Sequence, residues 1–269
     1  MGRTDRRQPP ERVRMEGHDH SLLPDETPQG YGPAGHAVPG GLALAANGLR
    51  FVPAETRFEP TVETDWEFQI ANDDTIVTSF DRAHGESSHL IVVRRDLSRF
   101  QHRHPSLSND GTWNVQDLEL PDPGVYRAFV DVVVDGHPTT LGYDLFAPGE
   151  FDVAPRPTSS RMAHADGYDV RLLVDDVSVD DSVQLEFEFR RDAELVSHLG
   201  EYLGARGHLV ALREGDLGYL HVHPMETDLE EGRVSFGARF PTPGRYRLFL
   251  QARPDDHLVT THFDVQVNE

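Results

Sequence analysis

From about residue 42 onward, short runs of alternating apolar and polar residues are punctuated by Gly, Pro, Asp and Asn. In the second half these runs are "YDVRLLV", "SVQLEFEFR", "GHLVALR", "LGYLHVH", "RVSFGARF", "GRYRLFLQA" and "LVTTHFDVQV". Period-two alternation rich in β-branched and aromatic residues predicts strands. Seven strands in about 100 residues predict an immunoglobulin-like sandwich. Residues 1 to 41 lack any such period and are dense in Pro, Gly and charge, which predicts a disordered segment.

The same pattern occurs twice. "HLIVVRRDLSRFQHRHP" at His89 lies over "HLVALREGDLGYLHVHP" at His208, 119 residues later. "LPDPGVYRAFVDVVVDGHP" at Leu120 lies over "FPTPGRYRLFLQARPDDHL" at Phe240, and "WEFQI" at Trp66 over "LEFEF" at Leu185. The expected organisation is all-β: two tandem immunoglobulin-like (cupredoxin-like) domains at 42–153 and 161–269. "APRPTSSR" (Ala154 to Arg161) reads as the linker. In each copy P-G-x-Y turns the chain at a sheet corner. Tyr126 and Tyr246 are placed to bond back to upstream backbone as tyrosine corners, a purely structural role.

The histidines follow the strand period. If Gly215-Asp216 is the turn of the second hairpin, His208 faces His223 and Val210 faces His221. Side chains two apart share a face, so His208, His221 and His223 project from one side of one hairpin. Opposite Cβ atoms are about 5 Å apart, close enough for three imidazoles to meet an ion at about 2.0–2.1 Å. The same register makes Asp96-Leu97 the first hairpin's turn and puts His89, His102 and His104 on one face. His84 is a candidate fourth ligand; in the second copy His198 or Glu201 takes that place, and His262 is an outside candidate. The same faces carry Ile91, Val93, Phe100, Val210, Leu212 and Tyr219, so the histidines are expected at one end of each apolar core. Pro105 and Pro224 are expected to end the ladders. An all-imidazole set suits Cu(II), Zn(II) or Ni(II). His18, His20, His36, His137, His164 and His257 read as incidental loop or tail residues.

Composition narrows the function classes. The 46 acidic and 25 basic residues give a net charge of −21, which argues against nucleic acid or an anionic membrane as partner. With no cysteine there is no disulfide, thiolate metal site or cysteine nucleophile. All 25 basic residues are arginine. Such acidity is either a solubilising surface or an adaptation to high salt, where screening removes self-repulsion. The adaptive reading predicts a lower melting temperature on dilution from molar salt, and equal values at low and high salt would remove it. Arg6-Arg7 is followed by no apolar stretch, so no export leader is read in these residues. No run is apolar and long enough to span a bilayer as a helix.

From about Gly41 the chain resembles a family of uncharacterised bacterial tandem-domain proteins regarded as secreted or heavy-metal-binding. The motifs that carry the likeness are "HLIVVRRDL", "FQHRHP" and "DGTW" in one half. In the other they are "YLGARGHLVALREGDLGYLHVHP" and "PGRYRLFL". The resemblance implies His84, His89, His102 and His104, with His208, His221 and His223, as metal residues. It also implies an extracytoplasmic location, although members of that family usually carry an export signal.

Three functions compete. The first is a non-enzymatic copper- or zinc-binding protein with a histidine cluster on one hairpin of each domain, for which a metal-handling protein is the expected partner. The second is a structural or interaction sandwich in which the imidazoles merely knit the hairpin rims. The third is a cupin-type metalloenzyme. "GDLGYLHVHPME" offers Gly215, His221, His223 and Glu226, but the acid comes early and no later P-x-G histidine follows.

Overall fold

The computed structural model describes residues 39–83, 85–152, 159–225 and 231–269, without the side chains of His221 and His223. Most of the predicted disordered segment and of the linker therefore lies outside the described residues.

Each half folds as seven principal strands. In the first they are β1 (Leu49–Pro53), β2 (Thr64–Asn72), β3 (Ser88–Arg94), β4 (Gln101–Arg103), β5 (Thr112–Leu118), β6 (Gly124–Val134) and β7 (His137–Ala147). In the second they are β8 (Tyr168–Leu173), β9 (Ser182–Arg191), β10 (Gly207–Arg213), β11 (Tyr219–His221), β12 (Arg233–Arg239), β13 (Gly244–Pro254) and β14 (Val259–Asn268). One sheet of each domain runs β1-β2-β5 or β8-β9-β12, the other β7-β6-β3-β4 or β14-β13-β10-β11. This is the immunoglobulin-like arrangement that the strand count predicts.

Alternation fills each sandwich. Phe51, Trp66, Phe68, Leu90, Val92 and Trp113 pack the first core, and Leu185, Phe187, Leu209, Ala211, Phe236 and Leu248 the second. Both tyrosine corners form. The Tyr126 hydroxyl donates to the Asp122 carbonyl at 2.9 Å, and the Tyr246 hydroxyl donates to the Thr242 carbonyl at 3.2 Å.

The outer faces of the second sheets correct one expectation. Ile91, Val93 and Phe100 do not belong to the first sandwich core, nor Val210, Leu212 and Tyr219 to the second. Together with Leu97, Phe129, Leu217 and Phe249 they form a third apolar cluster in which the two domains meet. The reason is visible in β3, where all seven residues are buried: a strand covered on both sides loses the period that separates inside from outside. Repeat-related rings pair across this seam with approximate twofold symmetry. Phe100 stacks on Phe249 at 4.2 Å, and its mate Tyr219 meets Phe129 at 5.6 Å.

Gly40 and Gly41 are ordered rather than part of a disordered segment. Gly40 exchanges two 3.0 Å backbone bonds with Tyr219 of the second domain. Gly41 donates to the Thr140 carbonyl at 3.1 Å, while its own carbonyl accepts from Arg127. At Gly41, φ is +70°, and any side chain would strike the Phe129 ring, so glycine is needed there.

Candidate metal centre

Both histidine hairpins take the register read from the sequence: Ile91 pairs with His102, and Val210 with His221. The ladders end slightly earlier than the prolines suggest. β4 stops at Arg103, and Ser106–Leu107 joins the opposite sheet through Asn114 and Trp113. β11 stops at His221, and His223–Pro224 crosses to the opposite sheet against Gly237 and Phe236.

Because these hairpins present their outer faces to each other, their described histidine side chains gather at one place. His89, His102 and His208 each offer a ring nitrogen, all within 4.8 Å of one another. His89 and His208, mates under the repeat, stack with centroids 5.2 Å apart. The His102 ring stacks on His208 at 4.5 Å and meets His104 at 4.6 Å. Among the described side chains the site is thus built across the seam, with three imidazoles from the first domain and one from the second.

Outer hydrogen bonds set the tautomers. His102 Nδ1 lies 2.7 Å from Gln251 Oε1 of the other domain. Gln251 Nε2 in turn donates to Thr260 Oγ1 at 3.3 Å. An amide oxygen only accepts, so the His102 proton sits on Nδ1 and a lone pair on Nε2. His89 Nε2 lies 3.2 Å from the Ala83 carbonyl, which likewise calls for Nε2–H and a lone pair on Nδ1. His89 Nδ1 and His102 Nε2 then face each other at 3.1 Å, lone pair to lone pair. His104 Nε2 lies 3.2 Å from the same His102 nitrogen. Two nitrogens bound tetrahedrally at 2.0–2.1 Å to one ion stand about 3.3 Å apart. Outer bonds to a carbonyl and an amide oxygen are also the kind that orient ligating imidazoles. The residues present fit a cation.

The electrostatics agree. Burial pushes His102 down to about 3; the Gln251 bond opposes the shift, while His89 and His104 add to it. Burial also lowers His104, against the pull of Glu86. Both rings are therefore neutral at neutral pH, the form in which an imidazole can ligate a metal.

His198 is exposed, with Nε2 3.3 Å from Asp256, and does not join the group. The fourth-ligand position of the first domain has no histidine mate. Short bridges Ala83–Glu86 and Tyr202–Ala205 are equivalent, so Leu203 occupies the place of His84. His84 itself and Glu226 lie outside the described residues, as do the side chains of His221 and His223. His262 on β14 pairs with Phe249 on β13, with ring centroids 6.5 Å apart, and its pKa is lowered by burial. Gln251 was not singled out by sequence. Its signal is a polar residue inside the apolar run of β13, at the position where β6 carries Asp131.

The family model described as "Domain of unknown function (DUF8832)" matches residues 45–148 and 163–269, and the chain belongs to that family. No curated protein matches the chain. Among solved structures, it is similar to the Escherichia coli adhesin FdeC at 13% identity and a TM-score of 0.27, covering 84% of this chain and 66% of that one. It is also similar to Yersinia pseudotuberculosis InvD at 14% identity and a TM-score of 0.27, covering 83% and 58%. A titin I-band fragment, I67-I69, gives 9% identity and a TM-score of 0.21, covering 83% and 66%. The chain thus spans less than two thirds of the length of each of these three.

Proposed function

We propose that this member of an uncharacterised family is a non-enzymatic metal-binding protein that holds Cu(II) or Zn(II) at the seam between its two sandwiches. One observation carries the reading. Acceptors outside the cluster fix His89 and His102 so that two ring lone pairs converge at 3.1 Å, an arrangement that a cation relieves. His104 and His208 supply further donors; His221 and His223 are candidates from the backbone register of their hairpin. The extracytoplasmic location rests on the resemblance to secreted proteins.

The test is elemental analysis of untagged protein, followed by titration with Cu(II) and Zn(II). A dissociation constant below about 10 μM is expected, and weakening by at least about 100-fold in His102→Ala. Binding weaker than that limit for both ions overturns the reading.

A second reading has its own support. His104 Nε2–H can donate to His102 Nε2, and His102 Nδ1–H donates to Gln251, so a neutral relay crosses the seam without an ion. The protein would then be a tandem immunoglobulin-like module whose histidines fasten its domains. Unchanged stability of the full chain on adding either metal would favour it.

A further inference from the structure

We infer that Asp131 is the charge partner of the seam site and makes it selective for a divalent over a monovalent cation. The inference rests on the metal-binding reading above.

Asp131 lies on the outer face of β6, in line with Arg127 and Phe129, and is 9% exposed. Its Cα partners are His89 on β3 and Thr140 on β7. Thr140 Oγ1 donates to Asp131 Oδ1 at 2.9 Å. In the second domain the same position is Gln251, whose Cα partners are His208 and Thr260. Gln251 bonds Thr260 and reaches across the seam to His102. The approximate twofold therefore places Asp131 where its mate touches a cluster imidazole, but with a full negative charge instead of a neutral amide. Asp131 and His89 are paired across neighbouring strands, so their side chains leave the same face with Cβ atoms about 5 Å apart.

Imidazole ligands carry no charge, so they leave the full charge of a bound ion uncompensated in a desolvated seam, which is costly. Asp131 offsets one unit of it. Coulomb energy is linear in charge, so a carboxylate that acts electrostatically stabilises a divalent ion twice as much as a monovalent ion in free energy.

The experiment measures Zn(II) and anaerobic Cu(I) affinities of full-length Asp131→Asn by chelator competition. The expected loss is about 100-fold for Zn(II) and about 10-fold for Cu(I), the larger being near the square of the smaller. Adding Gln251→Glu to Asp131→Asn returns the charge on the mate position and is expected to restore Zn(II) affinity to within about threefold of wild type. Recovery in that double variant excludes misfolding as the cause of the loss. Equal fold losses for the two ions, or no loss, overturn the inference while leaving metal binding intact. A wild-type protein that binds neither ion overturns the inference together with the metal-binding reading.

Discussion

The two domains share strand order, hairpin register and tyrosine corners, yet the described side chains that they bring to the seam differ. The first supplies His89, His102, His104 and Asp131; the described part of the second supplies His208 and Gln251. Ala83, His84 and Glu86 of the first are Tyr202, Leu203 and Ala205 in the second. Duplication fixed the backbone positions, and the approximate twofold then brought both copies of one face to a single place. The described side chains of the two copies share one place but differ in chemistry, since Asp131 of the first copy answers to Gln251 of the second.

Three measurements press on this comparison. The largest effect is expected at the seam rings. Phe129→Ala and Phe249→Ala each remove one of the mated ring pairs and leave a cavity at a buried position, costing about 3 kcal/mol. Denaturant unfolding of the full chain should show comparable losses for the two variants. A large loss for one and none for the other would break the twofold description of the seam.

The next effect is pH-dependent and belongs to the first domain's side. His102 is depressed in the folded chain, to about 3 from an ordinary 6.5. The unfolded chain therefore takes up this proton first, and the folded state loses stability as pH falls from about 6.5 towards 3. The contribution is fully present above 6.5 and amounts to a few kcal/mol at most, on the order of the shift itself. His102→Gln should flatten the stability profile over that window in metal-free protein. An unchanged acid slope would contradict the burial assigned to this ring.

The smallest effect concerns the features the domains share most closely. Tyr126→Phe and Tyr246→Phe each remove one hydroxyl bonded to the residue four positions upstream, for about 1 kcal/mol each. Thermal unfolding should show similar losses, since both hydroxyls close the same corner. A loss confined to one domain would show that the corners are not equivalent.

Much of this architecture is legible in the sequence. The runs "GHLVALR" and "LGYLHVH" gave the hairpin register because turn residues and side-chain alternation constrain it together. P-G-x-Y marks both corners. The sequence does not say which hairpin face looks inward. In "HLIVVRR" apolar residues occupy both faces, and only a partner surface decides that Leu90 and Val92 fill the sandwich while Ile91 and Val93 meet the other domain. Gln251 and Asp131 were hidden for the same reason. Polar residues inside an apolar strand acquire meaning once the opposing domain is in place. Gly40 and Gly41 look like tail, because a glycine pair carries no strand period, although each is fixed by backbone bonds.

The account stands on one composite site shared by both domains, and metal stoichiometry tests it most directly. Titration of the full chain with Zn(II), followed by elemental analysis after desalting, should give one tightly held equivalent per chain. His208→Ala in the second domain and His102→Ala in the first should each abolish it. Two equivalents per chain, with each substitution removing only its own domain's ion, would contradict the shared site.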